Sequence, residues 1–480
     1  MIQLVNLLLG IVSSIIGAVF ELLIDFSSAI IPLRRRIQYN ADFLPSREIL
    51  FRNEKGFCLT GKRSLSIEDS FSNGLVLGGS GSGKSSRVLI PSILKMAGHS
   101  SLVIHDPSGE LFEKTSGALA DAGYEIKILN YGKPEISEGF NPLDRAISSS
   151  DIQKVSKMVM HTSLGQGKDP FWNTSGEGLI ALFARYLVNH SEKKFQTLHN
   201  VLHLINTFGA SPEKVDLLIV HTNDPTLIAD YKAFVAYDSK MLMSIVATAR
   251  AALSVFADTS VAKVTAHDTI SFDEFRRKKV ALFINNSVKD MRYYSVISSI
   301  FFEQFWGLIM SQIPGKKELP IFFLLDEASS LFLNSLPITV SNIRKFKSGM
   351  LQVYQHYHQM VQLYGNAEAR NIAANCYAKV YMSGQPIEVA TELETTLGKF
   401  EFVDNDDIRR TRSLLTADEI RQLKESIILC GNLPPIKAKM IPYYEQRKLK
   451  KLSLIPQYQV QNKLSFNTPP LIQFDGNEST

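Results

Sequence analysis

An α/β fold with a central, mostly parallel sheet and an all-helical insertion is what this sequence predicts, and three observations predict it. Short apolar runs recur along the chain and are continuous rather than alternating, the pattern of strands buried on both faces. Helical stretches separate most of these runs, so βαβ units are the natural assembly. From about residue 146 to 269 helical periodicity continues with almost no strand signal, which marks a helical domain placed between strands. The bulk numbers agree. A chain of 480 residues, 45% hydrophobic and 21% charged, is long enough for two or three domains and apolar enough for a sizeable core.

Taken in order, the chain starts with 20 residues that carry no charge and are rich in Leu, Ile and Val. At about 1.5 Å per residue a helix of that length reaches about 30 Å, the thickness of a bilayer core. Arg34, Arg35 and Arg36 follow, and the positive-inside rule puts them and all that comes after in the cytoplasm. A cleaved signal peptide would need a basic segment ahead of the apolar run, and none precedes it. A buried helix of a soluble domain is the remaining alternative. The expectation is one N-terminal transmembrane helix in contact with the lipid bilayer, with residues 1–36 as anchor and basic juxtamembrane segment. Residues 37–145 form the first part of a nucleotide-binding domain, 146–269 the inserted all-α domain, 270–455 the second part, and 456–480 a flexible, Gln-, Asn- and Pro-rich tail.

The strand candidates are residues 74–78 (GLVLG), 101–106 (SLVIHD), 126–130 (IKILN), 280–285 (VALFIN), 321–326 (IFFLLD), 351–355 (LQVYQ) and 379–382 (KVYM). Within the insertion, residues 178–187 (GLIALFARYL) and 198–205 space their apolar residues as a helix does.

Composition limits the chemistry. A net charge of +5 permits a nucleic-acid partner without demanding one. Cys58, Cys376 and Cys430 are far apart in the sequence, with no Cys-x-x-Cys and no Cys/His cluster, so a zinc site or a disulfide framework is not expected.

Gly78, Gly79, Ser80, Gly81, Ser82, Gly83, Lys84 and Ser85 fit the pattern GxxxxGK[ST], with a strand candidate ending at Gly78 and a helical stretch opening at Ser85. Glycines let the backbone wrap a phosphate with its amides turned inward, and the helix N-terminus adds partial positive charge. Lys84 is expected to reach the β- and γ-phosphates of ATP, Ser85 to bind Mg²⁺, and Ser86 to extend the cradle. Asp326 ends a buried strand, so its carboxylate emerges where ligands sit in open α/β sheets and is expected to hold Mg²⁺ through water. Glu327 is placed to act as general base on the attacking water. A nucleoside-kinase site usually lacks the adjacent Glu, which favours hydrolysis. Gln355 would lie beside Asp326 if their strands are neighbours, and is expected to sense the γ-phosphate; an ordinary polar strand end is the alternative.

Together these motifs resemble the TraG/TraD-like coupling proteins of type IV secretion and conjugation. The resemblance runs from Gly74 to about Pro442. The phosphate loop is followed by VLIPSIL, SLVIHDPSGEL and GFNPLDRA, then DPFWNTSGEGLIAL, LLDEA, QHYHQMVQLYG and TRSLLTADEI, in the family's order. QHYHQMVQLYG matches a Gln-x-x-x-Gln-Leu-x-x-x-Tyr-Gly pattern at Gln355, Gln359, Tyr364 and Gly365, with Met360 in the Leu place. Arg412 and Glu419 sit in the last motif. Ser108 stands where an Asp-x-Lys-Gly-Glu element carries Lys, between Asp106 and the pair Gly109 and Glu110. The family commonly has two membrane spans, and this chain shows one apolar run.

The resemblance implies a RecA-like P-loop ATPase on the bacterial inner membrane, assembled as a hexameric ring with ATP between subunits. It implies Arg344 as an arginine reaching a neighbour's nucleotide, with a solvated Arg as the alternative. It implies type IV channel components as partners, with a relaxase or relaxosome carrying single-stranded DNA, or a protein, as substrate. A DNA-pumping motor of the FtsK/HerA kind and a nucleotide-controlled docking platform are the rival readings. The basic runs at Arg276, Arg277, Lys278 and Lys279 and at Arg447, Lys448, Lys450 and Lys451 read as solvated faces or lipid contacts rather than as a DNA site.

Overall fold

The computed structural model describes residues 40–165, 170–460 and 466–474. The apolar run and Arg34, Arg35 and Arg36 lie outside the described residues. Among the described residues no helix is long and apolar enough to cross a membrane. The described chain forms two compact units, a small one of residues 40–42 and 394–415 and a large one holding the rest. The small unit contains the hairpin β8 (Lys399–Val403) and β9 (Arg409–Ser413), with Asn40 bridging to Phe400.

The large unit is built on a nine-stranded sheet in the order β11-β10-β7-β1-β6-β5-β2-β4-β3. Its parallel members are β1 (Gly74–Leu77), β2 (Ser101–His105), β3 (Glu125–Leu129), β4 (Val280–Ile284), β5 (Ile321–Leu325), β6 (Ser348–Tyr354) and β7 (Ala378–Tyr381). Each of the seven apolar runs of the sequence is one of them. Antiparallel β10 (Ser426–Cys430) and β11 (Ile436–Ala438) extend the sheet past β7.

The pleat divides the strand side chains between two cores. Leu75, Leu77, Val103, Leu282 and Phe323 face one, while Val76, Leu102, Ile104, Phe283, Phe322 and Leu324 face the other. On the second face lie α1 (Ile90–Met96) and α2 (Glu110–Asp121). Among the described residues the chain between β3 and β4 is helical, chiefly α3 (Ser149–Leu164), α4 (Pro170–His190), α5 (Leu198–Ala210), α6 (Pro212–Val220), α7 (Pro225–Val235), α8 (Ser239–Ala252) and α9 (Thr259–Val264). Local chemistry starts them: Ser148 and Asp151 form a capping box on α3, and Asp224, Asp238 and Asp258 accept first-turn backbone N–H groups of α7, α8 and α9. These helices share the first core with α10 (Met291–Ile309) and α11 (Leu336–Asn342); Phe301, Phe302, Phe305 and Trp306 of α10 interlock with Phe323 and Phe272.

Of the segment expected to be flexible over 456–480, residues 456–460 and 466–474 are described and packed, and 461–465 and 475–480 lie outside the described residues. The Tyr458 amide donates to Ser116 Oγ, and Gly117 is tolerated only as glycine there, because a Cβ would meet the Pro456 carbonyl oxygen at 2.1 Å. Residues 466–474 lie on the helical layer, with Ile472 inside the first core. Polar composition misleads here because the apolar residues are few but well placed.

The basic run at Arg276 also departs from a solvated face. The Arg276 guanidinium donates to the carbonyls of Leu319, Phe346 and Lys347 and to Ser348 Oγ, tying three loops together at the edge where β5 and β6 begin. Lys278 pairs with Glu125 and Glu274, and Lys279 donates to the Ala122 carbonyl. In the second run, Leu449 anchors the helix Arg447–Ser453 and its cations are exposed.

Candidate nucleotide-binding site

The strand order places β6 between β1 and β5, so Gly78, Gln355 and Asp326 emerge side by side at the carboxyl edge, with Asp106 next beyond β5. The condition attached to Gln355 is met, because β5 and β6 are paired neighbours.

Residues 78–85 form an open loop. Gly81 and Gly83 have φ of 74° and 82°, which L side chains rarely adopt, and beyond their chain neighbours no heavy atom of the described residues lies within 4 Å of where a Cβ would stand on Gly79 or Gly81. Ser85 opens a π turn (Ser85–Leu89) in which the Ile90 amide reaches back to the Ser85 carbonyl, ahead of Pro91, which has no N–H to give. The Lys84 ammonium donates to the carbonyls of Gly78 and Gly79 at 2.7 and 3.0 Å. Partial burial lowers its pKa, opposed by Glu327 and Asp326.

Ser85 Oγ lies 3.5 Å from Asp326 Oδ2, which brings together the two expected cation-side groups. Burial pushes the Asp326 carboxyl up to about 7, reinforced by Asp106 and Glu327 and opposed by Lys84. A buried carboxylate beside two others is a group that a divalent cation satisfies. The Ser82 hydroxyl is buried without a hydrogen-bond partner among the described residues. The open glycine cradle, that orphan hydroxyl and the Ser85–Asp326 pair fit a nucleotide phosphate with Mg²⁺. Among the described residues no three His, Cys, Asp or Glu side chains group as a resident metal site.

Glu327 follows with φ 50° and ψ 55°, a left-handed conformation costing on the order of 1–3 kcal/mol for a residue with a Cβ. Its carboxylate is held on both oxygens. Ser329 Oγ donates to Oε1 at 2.6 Å and Gln355 Nε2 to Oε2 at 3.0 Å. Gln355 is itself set by Gln359, whose Oε1 accepts the Gln355 amide at 2.9 Å from the first turn of α12 (Tyr357–Ala374). Gly365 breaks that helix at φ 77°, and the Tyr364 hydroxyl accepts the Leu333 amide.

Beneath this edge, the His105 imidazole lies against the Asp326 carbonyl at 2.7 Å and edge-on to Phe302. Burial brings its pKa down to about 4, so the ring is neutral and Nδ1 is the donor. Asp106 accepts the Phe112 amide at 2.7 Å and Ser108 Oγ at 3.3 Å, while Ser108 Oγ in turn accepts the Glu110 amide. Ser108 therefore serves the loop as a short-range hydrogen-bonding group where the motif usually carries Lys. Gly109, at φ 77°, starts α2 against the Asn285 side chain. Burial raises Asp106 to about 6.

Sequence reasoning missed His105 and Ser329. The signal was modest: a His as the last residue of an apolar strand, and a Ser two positions after the acidic pair. Arg344 does not join the group. It is exposed on the turn Ile343–Phe346 that leads into β6, at the end of the strand remote from Gln355. Glu419 closes a capping box with Thr416, and Arg412 lies on β9 of the small unit.

The fold and this edge define an α/β NTPase fold with a phosphate loop after β1 and a carboxylate pair after β5, on either side of β6. The chain belongs to the family of type IV secretory system conjugative DNA transfer proteins, whose model matches residues 45–467. It is 24% identical to protein VirD4 of Rhizobium radiobacter over 403 residues, 79% of this chain and 58% of that one, and 27% identical over 317 residues to the probable conjugal transfer protein TraG of Sinorhizobium fredii, 64% of this chain and 49% of that one. The chain thus spans about half the length of these relatives. The plasmid coupling protein TrwB, solved with the ATP analogue ADPNP, superposes with a TM-score of 0.66 at 19% identity, covering 90% of this chain and 97% of that one. TrwB with ADP and Mg²⁺ gives 0.64 at 18% identity over 90% of this chain and 97% of that one.

Proposed function

We propose that this chain is the ATP-hydrolysing coupling protein of a type IV secretion or conjugation system, and that it brings a DNA–protein or protein substrate to the channel. The observation that carries the reading is the convergence of Lys84, Ser85, Asp326, Glu327 and Gln355 on one sheet edge. Lys84 and the backbone of residues 78–86 hold the ATP phosphates, and Ser85 and Asp326 hold Mg²⁺. When bound, Mg²⁺ neutralises charge on the phosphate oxygens. Glu327 takes the proton of the attacking water at a carboxylate fixed by Ser329 and Gln355. Gln355 reports loss of the γ-phosphate to β6 and α12. VirD4 and TraG relatives, and TrwB structures with an ATP analogue and with ADP and Mg²⁺, support this reading.

The rest of the assembly follows the same proposal. Residues 1–36 anchor the chain by a single pass in the bacterial inner membrane, with the ATPase in the cytoplasm. Residues 37–145 and 270–455 form the nucleotide-binding domain, and 146–269 the all-α domain. Subunits form a hexameric ring in which Arg344 reaches the neighbouring nucleotide. The test is ATP hydrolysis by the full chain in lipid nanodiscs, with and without single-stranded DNA, beside Lys84→Ala. DNA-stimulated hydrolysis abolished by Lys84→Ala is expected. Hydrolysis that survives Lys84→Ala overturns the assignment of the site.

A further inference from the structure

Residues 466–474 meet α5 in a way that a loose tail does not. The Asn200 side chain, with no exposed surface, donates from Nδ2 to the Pro470 carbonyl and accepts at Oδ1 from the Ile472 amide, both at 3.0 Å. One helical turn on, His203 Nε2 donates to the Ile472 carbonyl at 3.2 Å. In an extended chain the carbonyl of one residue and both backbone groups of the residue two further on point the same way. Asn200 and His203, three apart on one helix face, therefore read a single backbone edge. The side chains alternate to match: Leu471 and Gln473 are exposed, Ile472 is 7% exposed in the core, and Phe474 packs its ring 5.3 Å from that of His203. Pro469 is buried as well. Asn200 spends its other donor on Thr197 Oγ1, so its hydrogen-bonding capacity is filled only with the segment in place.

We infer that the Asn200–His203 face of α5 is a binding groove for an extended peptide of the pattern Pro-x-x-Ile-x-Phe, with the chain's own residues 469–474 as a displaceable resident ligand. Recognition through main-chain groups and three apolar side chains does not require the peptide to be covalently attached. An external segment with the same pattern therefore competes for the groove once the resident one is released. This site is independent of the nucleotide edge.

The probe is a fluorescent peptide of sequence FNTPPLIQF, titrated against the full chain. Ile472→Asp in the chain releases the resident segment, and the peptide is expected to bind that variant at least about tenfold more tightly than wild type. Adding Asn200→Ala should remove about tenfold of the affinity, by leaving the peptide amide unpaired. A folded Ile472→Asp chain that ignores the peptide, or a double variant that binds equally well, overturns the inference. Hydrogen exchange on the wild type tests the resident occupancy without variants. The Ile472 amide should be protected to the same degree at any protein concentration; free exchange overturns the groove, and protection that grows with concentration overturns occupancy by the chain's own segment.

Discussion

Gln355 Nε2 donates to Glu327 Oε2 at 3.0 Å, linking the end of β6 to the second residue after β5. Together with Ser329 on the other oxygen, it aims a carboxylate that sits on a left-handed backbone. Glu327→Gln should reduce kcat by about 10²–10⁴-fold with nucleotide affinity unchanged, because only proton transfer is removed. Gln355→Ala should cost less, about tenfold in kcat, since the base remains but is aimed by Ser329 alone. Single-turnover hydrolysis beside fluorescent-nucleotide titration separates the two; a Gln355→Ala loss confined to affinity contradicts the aiming role.

Arg344 should act only between subunits. Arg344→Ala is expected to lower kcat of the assembled protein by about 10³-fold while each subunit still binds nucleotide. Mixing Arg344→Ala chains with Glu327→Gln chains should restore part of the activity, because some interfaces then join an intact base to an intact arginine. No recovery on mixing means that Arg344 does not serve a neighbour.

Asp106 makes a prediction about pH. Its carboxyl is raised from 3.8 to about 6 by burial, so the folded state holds a proton that the unfolded chain releases. Its contribution to stability is complete below about pH 4 and is lost as pH rises to about 6. Asp106→Asn keeps an acceptor for the Phe112 amide and removes the titration. The stability of wild type relative to this variant should fall by roughly 1–3 kcal/mol between about pH 4 and about pH 7, measured by urea unfolding in EDTA without nucleotide. A constant difference across that range shows that Asp106 does not titrate in this window.

Arg276 should matter for folding. Arg276→Ala leaves the carbonyls of Leu319, Phe346 and Lys347 short of a donor and is expected to cost about 2–4 kcal/mol in urea unfolding. Nucleotide affinity should not change. Reduced DNA binding at unchanged stability would assign this arginine to the surface after all.

The parallel strands were legible because burial on both faces forces continuous apolar runs, and the phosphate loop because glycine spacing and a neighbouring Lys leave few other readings. Asp326 and Glu327 followed from a strand ending in two acids. β10 and β11 were not read, because Ser426–Cys430 and Ile436–Ala438 are short antiparallel strands that depend on pairing, β10 with β7 and β11 with β10, rather than on pattern. Arg276 was misread for a related reason: a basic run says nothing about which carbonyls the fold will turn toward it. The same holds for Asn200, whose value lies in a segment 270 residues away.

The position of β6 has a mechanical consequence. Its seven residues, about 3.3 Å each, make a stiff rod of roughly 23 Å clamped on both sides by β1 and β5. One tip ends at Gln355 and the other begins at the turn bearing Arg344. Pairing on both sides opposes any sliding of that rod, so its two tips can shift only together with β1 and β5. The turn at Arg344 and the candidate nucleotide site thus lie at opposite ends of a single piece of backbone.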